Sequence, residues 1–293
     1  FPKRIKAVKQ ANGSLIKLSS KENEISLNEN GLFSWKRDAK EMLAGPLILN
    51  FWRAPTDNDG FKFLPNQEGK ALFNWKKMGI DNILWTHKYL NTNNCANIIK
   101  QSSIGECKAG RLKVISEYAL TIKGLKVSHS FLVGKNFKNL PRVGVRWQFS
   151  KEYKNLTWFG KGPQETYEDR KESGMKKKHS SSVEAQYVPY IMPQEHGNLT
   201  EISWLKISNG TKNVEFSVQS EIQASVSNYL DEDLTKALRI SELSPTEYCW
   251  VYLDAVQRGL GGASCGPDTL DRYQVGPGTY KLEYQITSGD AST

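Results

Sequence analysis

The segment Asn50-Phe51-Trp52-Arg53-Ala54-Pro55-Thr56-Asp57-Asn58-Asp59-Gly60 places one guanidinium close to two carboxylates. Pro55 fixes φ and bars a helix, and Asp57-Asn58-Asp59-Gly60 is turn chemistry. A buried strand from Pro46 to Phe51 therefore runs into a rigid polar loop. Arg53 with a neighbouring Asp either serves catalysis or pins the turn, and taken alone the loop reads as the pinned turn. Glu165, Tyr167, Asp169 and Arg170 form a second polar cluster, on a turn set by Gly160, Gly162 and Pro163. These groups suit either sugar hydroxyls or an Arg–carboxylate brace between domains. Glu195-His196 is a third: His196 is either a base or a hydrogen-bonded loop histidine. Glycines at 259, 261, 262 and 266 allow backbone angles that other residues resist, so Gly259 to Pro267 can form a tight loop.

The elements that must carry these groups alternate with period two. Leu112, Val114, Tyr118, Leu120 and Ile122 share one face, Lys123-Gly124 turns the chain, and Leu125, Val127, His129, Phe131 and Val133 return. That pattern predicts a hairpin with Gly in the turn and His129 in the core. Val143, Val145, Trp147 and Phe149 repeat the pattern, as do Val214, Phe216 and Val218, and then Tyr280, Leu282, Tyr284 and Ile286. Strands with one apolar face build antiparallel sheets. One short helix is expected over Asp231 to Leu238, with Leu234, Ala237 and Leu238 inward. The lack of a strand–helix–strand repeat excludes an α/β barrel or nucleotide fold. Asn91 to Asn94 and Lys171 to Ser182 read as surface loops. The whole chain, 1–293, reads as a single all-β domain.

With 293 residues, 38% hydrophobic and 24% charged, the chain can bury a large core. No apolar run approaches the roughly 20 residues of a membrane helix. The chain starts at Phe1 with neither Met nor a signal-like stretch, which suggests a piece of a longer protein or a mature form. The net charge is +9, and Lys176-Lys177-Lys178 is the one dense basic run. It lacks interleaved aromatics and any nucleic-acid-binding pattern, so it reads as a solvated loop. Cys95, Cys107, Cys249 and Cys265 show no metal-ligand spacing and read as free, mostly buried thiols. No metal ligand is assigned.

Five motifs in order carry a resemblance. They are Gly45-Pro46 through Asn50 to Asp59; Leu140-Pro141-Arg142-Val143-Gly144; and Trp158-Phe159-Gly160-Lys161-Gly162-Pro163-Gln164-Glu165-Thr166-Tyr167-Glu168-Asp169-Arg170. Then come Tyr187-Val188-Pro189-Tyr190 through Pro193-Gln194-Glu195-His196-Gly197-Asn198, and Leu253-Asp254 through Gly259-Leu260-Gly261-Gly262. This order resembles the C-terminal domain (small chain, or fifth domain) of bacterial β-galactosidases of glycoside hydrolase family 2. The resemblance implies a galactose-mutarotase-like super-sandwich of two large antiparallel sheets. It also implies a parent enzyme that hydrolyses terminal β-D-galactosides with retention.

Retention takes two carboxylates about 5–5.5 Å apart. Asp57, Asp59, Glu165, Glu168, Asp169, Glu195 and Asp254 are available, but spacing pairs none of them. In the family the catalytic glutamates lie on an α/β barrel that this chain lacks. No catalytic residue is therefore assigned here, and the isolated chain is expected to be inactive. In well-known members the loop matching Gly259 to Pro267 carries a Trp that stacks on the sugar. This chain has Cys265 at about that place, in a loop one residue shorter. Ser264, Cys265 and Gly266 are thus the candidate substrate contacts, and a Cys offers little stacking area. A plain glycine loop is the alternative reading.

Trp52, Arg53, Asp57, Asn58, Asp59, Glu165, Tyr167, Asp169, Arg170, Glu195 and His196 are expected in structural or interface roles. Among the eight Trp residues, Trp147 reads as core, while Trp52, Trp158 and Trp204 are candidates for a domain interface, and an exposed apolar patch is expected. Expected partners are the barrel and other domains, a galactoside substrate and further copies of the intact enzyme, with neither nucleic acid nor membrane. The parent enzyme's Mg²⁺ and Na⁺ would be held mainly outside this chain. The compartment, bacterial cytoplasm or periplasm, stays open. Two other functions remain: a free-standing carbohydrate-binding module, and a mutarotase-like epimerase using His196 and a carboxylate.

Overall fold

The computed structural model describes residues 6–9 for the main chain, and 15–64, 66–90 and 98–290 in full. Cys95 and the Asn91–Asn94 stretch lie outside the described residues. The first strands form a small antiparallel meander of β1 (Lys6–Lys9), β2 (Ile16–Ser19), β3 (Asn23–Asn28), β4 (Gly31–Arg37) and β5 (Lys40–Glu41). The rest of the chain supplies β6 (Ile48–Asn50), helix α1 (Ala71–Met78), β7 (Leu84–Leu90), β8 (Ile98–Cys107), β9 (Gly110–Leu120) and β10 (Gly124–Val133). These are followed by β11 (Arg142–Ser150), β12 (Asn155–Gly160), β13 (Lys177–Ser182), β14 (Leu199–Ser208) and β15 (Lys212–Ser227). Helix α2 (Asp231–Lys236), β16 (Tyr248–Gln257) and β17 (Gly278–Asp290) complete the fold.

β6 to β17 form one hydrogen-bonded antiparallel network, with main order β13-β12-β14-β15-β17-β10-β9-β8-β7. Strand β15 makes it two layers. Its first half, Lys212 to Val218, pairs with β17, while Gln223 to Ser227 pairs with β16. The second half thus starts a wing, β16-β11-β6, that curls over the main sheet. The wing's Trp147 and Phe149 pack on Phe216 of β15, and Trp147 also packs on Tyr284 of β17. Phe51, just after β6, meets Trp85 and Phe131. Leu18, Ile25, Leu32 and Trp35 of the small sheet join the same core. The two-layer antiparallel architecture agrees with expectation, with both layers continuous through one long strand.

The period-two strands fall where the alternation puts them. Leu112, Val114, Tyr118 and Leu120 are buried, as are Leu125, Val127, His129, Phe131 and Val133 across the hairpin. His129 is a core histidine: Nδ1 lies 2.8 Å from Ser116 Oγ and Nε2 3.1 Å from Tyr284 Oη. Burial pushes its pKa down to about 3, so the ring is neutral.

Other expectations are corrected. Ile122 lies past the end of β9 in the turn and is 87% exposed. Residues 177–182 form edge strand β13 rather than a loop. Trp158 is fully buried, stacked on His179 with its Nε1 donating to Lys161 O, and not at a domain face. Helix α2 ends at Lys236, leaving Leu238 exposed. Helix α1 is unforeseen. Its signal was present: buried Ala71, Leu72 and Trp75 lie on one face, and Gly79 closes the last turn.

Candidate functional site

The motif loops converge on one segment, Arg258 to Thr269, between β16 and β17. The first anchor is a buried charge cluster. Asp59 accepts from Arg53 Nη2 at 2.7 Å and 2.9 Å, from Arg53 Nε at 3.1 Å, and from Arg258 Nη1. Thr56 adds its N–H at 2.9 Å and its hydroxyl at 3.0 Å. All three charged side chains are fully buried. Burial alone raises the Asp59 pKa, but the two guanidiniums outweigh it and hold the carboxyl below its ordinary value. Trp75 of α1 lies under both cations, 5.6 Å from the Arg53 guanidinium and 5.8 Å from that of Arg258. Arg53 Nη1 also donates to Arg258 O at 2.8 Å, so the pinned turn of the first motif holds the root of the loop.

The second anchor is Asp169. Its carboxylate accepts the Leu260 N–H at 2.9 Å, the Gly261 N–H at 2.7 Å and the Thr269 hydroxyl at 2.8 Å. Half-burial raises its pKa, and these donors more than reverse the effect. The third anchor is Asn58. It donates to Gly261 O at 2.7 Å and accepts from Ser264 N at 3.1 Å and Ser264 Oγ at 2.8 Å. Lys70 reaches Ala263 O from the start of α1. Among the loop glycines only Gly261 takes a positive φ, +65°, whereas Gly259 is required for space: a Cβ there would lie 2.5 Å from the Asp169 carboxylate. The result is a loop fixed on both flanks, with Cys265 exposed at its tip. Such a tip can meet a ligand or another domain without first being ordered.

The other candidates lie apart from this loop. Glu165 accepts from Arg170, from the Tyr190 hydroxyl and from Gly197 N at 2.8 Å. It braces the Glu165–Arg170 turn against the 187–197 segment, and Arg170 stacks on Tyr167 at 5.5 Å. Asp57 N donates to Gln194 Oε1 at 3.0 Å. Trp52 Nε1 donates to Thr235 Oγ1 at 3.0 Å and packs edge-on to Trp75. His196 Nδ1 donates to Gln194 O at 3.0 Å, with the ring edge-on to Tyr187; burial lowers its pKa, so it is neutral at pH 7.

Glu195 belongs to a second buried cluster that the sequence did not reveal. Arg142 Nη2 donates to Glu195 at 2.8 Å, with Asp231 at 3.8 Å and Asp254 at 3.7 Å from its other nitrogens. Gly144, opposite Asp254, admits that carboxylate: a Cβ at 144 would lie 2.1 Å from Asp254 Oδ1. Both Asp254 oxygens are buried without a protein hydrogen-bond partner. Burial raises the Asp254 and Asp231 pKa values to about 7 against the pull of Arg142. Asp59, Glu165 and Asp169 are occupied as acceptors, whereas Glu195 accepts from Arg142 through Oε2 alone and its Oε1 is buried without a partner. Among the described residues, no group of three or more His, Cys, Asp or Glu side chains is arranged to hold a metal ion.

The fold defines the class first. The chain superposes on a galactose mutarotase-like protein from Lactobacillus casei with a TM-score of 0.51 at 10% identity, over 94% of this chain and 100% of that one. It superposes equally on one from Clostridium acetobutylicum, TM-score 0.51 at 11% identity and 99% of each chain. This is the galactose-mutarotase-like all-β architecture. The sequence pattern of the β-galactosidase small chain matches residues 18–287, and the chain belongs to that family. It is 30% identical to a β-galactosidase of Alteromonas mediterranea over 96% of its own length and 28% of that protein's. It is 25% identical to that of Actinobacillus pleuropneumoniae, over 88% and 25%. The chain thus spans about a quarter of the length of these relatives.

Proposed function

We propose that this chain is the C-terminal domain of a bacterial β-galactosidase of glycoside hydrolase family 2. The whole enzyme would hydrolyse terminal β-D-galactosides with retention through a covalent galactosyl-enzyme, using two carboxylates on a barrel elsewhere in the enzyme. The Arg258–Thr269 loop is the observation that carries the chain's part in this. Three independent anchors hold it and leave its tip exposed. Ser264, Cys265 and Gly266 then border the galactose pocket, and the remaining domains supply the rest. Mg²⁺ and Na⁺, where the whole enzyme uses them, bind mainly outside this chain. Exposed Phe63, Leu64 and Ile191 support a face that meets those domains, and the intact enzyme is proposed to be a homo-oligomer.

Two measurements test this reading. The chain alone should release no galactose from a chromogenic galactoside; release at any sustained rate overturns the assignment of chemistry to the barrel. In the intact enzyme, Cys265→Trp adds a stacking surface and should change apparent lactose affinity about 3- to 10-fold. An unchanged affinity removes the loop from the sugar site.

A further inference from the structure

Asn74, Lys77 and Met78 of α1 form one wall of a surface hollow of about 510 Å³. Ala109 in the β8–β9 turn forms the second, and Asn136, Lys138 and Asn139 in the β10–β11 connection form the third. The size falls within the range of about 300–1,000 Å³ usual for small-ligand sites. The three walls are tied together. Ala109 N donates to Met78 O at 3.0 Å, Asn136 Nδ2 to Ala109 O at 3.0 Å and Trp75 Nε1 to Asn139 O at 2.6 Å. Asn139 takes a left-handed φ of +53°, which asparagine tolerates better than most residues. The hollow is therefore shaped before any ligand arrives.

Its chemistry is one-sided. Three of the seven side chains are amides and two are ammoniums, and among the described residues none that lines it is acidic or aromatic. Lys77 and Lys138 are exposed, and neither forms an ion pair with a described residue. Glu106, the acid of the adjoining β8–β9 hairpin, is taken by Arg111 Nε at 2.8 Å. The dipole of α1 accounts for Lys76 and Lys77 in its last turn, but not for Lys138 or the three amides. Asn136 commits its Nδ2 to Ala109 and keeps Oδ1 as an acceptor, while Asn139 Oδ1 is buried and accepts from no protein donor. Amides donate to and accept from hydroxyls, and ammoniums hold carboxylate or sulfate. Met78 and Ala109 offer apolar contact to ring C–H groups. A nucleobase finds no aromatic side chain to stack on. We propose that the hollow binds a short acidic oligosaccharide, with Lys77 and Lys138 on its carboxylate or sulfate groups and Asn74, Asn136 and Asn139 on its hydroxyls. Nothing in this site depends on the galactosidase reading. Its consequence is a chain that attaches to charged polysaccharide at a place apart from the Arg258–Thr269 loop.

The test is calorimetric titration with an α-linked oligogalacturonate, which is not a β-galactoside, and with a sulfated oligosaccharide of the same length. At least one should bind the unaltered protein saturably, and the stronger of the two identifies the acidic group. Lys77→Gln combined with Lys138→Gln should weaken that binding about 10-fold, and Asn74→Ala about 3-fold. Raising NaCl from about 50 mM to about 500 mM should weaken it about 5-fold. All three positions are exposed, so the variants report binding and not folding. Lys177→Gln combined with Lys178→Gln removes the same charge from the exposed end of β13 and should change nothing. Equal weakening by that pair would reduce the attraction to net charge and overturn the site. Equal binding of the methyl-esterified, uncharged oligogalacturonate would overturn the acidic class. Equal binding of inorganic sulfate, or of a single-stranded oligonucleotide of the same charge, would overturn the sugar. No saturable binding of either acidic oligosaccharide would overturn the whole assignment.

Discussion

Around Asp59, two guanidiniums share one carboxylate. Around Arg142, three carboxylates share one guanidinium. Both clusters are buried, yet they behave in opposite ways. Both Asp59 oxygens accept several donors, and the net field of Arg53 and Arg258 keeps the group ionised. Asp254 has no protein donor on either oxygen, and burial outweighs the pull of Arg142 and, more weakly, of Arg53. The difference shows that an arginine–aspartate proximity has no fixed worth. The local ratio of charges and the number of donors set whether the ion pair stabilises the fold or strains it. The first cluster is built to hold a loop. The second is poised between protonation states.

Replacing the same residue type in each cluster would sharpen the contrast. Asp59→Asn removes the anion between two buried cations, and should cost about 3–5 kcal/mol in a denaturant unfolding experiment. A loss under about 1 kcal/mol would mean that the two guanidiniums do not depend on that charge. Asp169→Ala should have a smaller and more local effect. It removes three charge-assisted hydrogen bonds from the loop, about 2 kcal/mol, and amide exchange at Leu260 and Gly261 should accelerate while the sheets stay protected. Equal acceleration in β9 and β10 would show that the loop is not a separate unit.

The smallest effect, and the opposite sign, is expected for Asp254→Asn. The Asp254 pKa is raised from 3.8 to about 7, so its neutral form is favoured in the folded state. Its contribution is fully present below pH 3.8 and is lost as pH rises through about 7. Asn cannot ionise, so the variant should lose less stability between pH 6 and pH 7 than the unaltered protein does, by about 1 kcal/mol. Asp59 has the opposite slope: its lowered pKa contributes stability above pH 3.8 that is lost on acidification. Identical stability profiles for Asp254→Asn and the unaltered protein across this window would refute the assignment of a titrating group to the Arg142 cluster.

Much of the scaffold was legible along the chain. Alternation in 112–120, 125–133, 143–149 and 280–286 marks which side chains face inward, because a strand turns its side chains over every second residue. The pattern misled at its ends, as at Ile122, where the strand stops but the apolar spacing runs on. Helix α1 went unseen among lysines and asparagine, although Leu72, Trp75 and Gly79 carried its signal.

The sequence by itself determined the antiparallel all-β class, the hairpin at Lys123-Gly124, the rigid polar turn at Asp57 to Gly60 and the family. Those follow from local rules: side-chain period, fixed φ at proline, and motif order. Only the tertiary structure decided which charges meet. Arg258 reaches Asp59 across 199 positions, and Asn58 reaches Ser264 across 206. Trp75 slides beneath both arginines, and β15 divides its pairing between two layers. Coulomb and hydrogen-bond energies depend on separation in space and on burial, and neither is a function of separation along the chain.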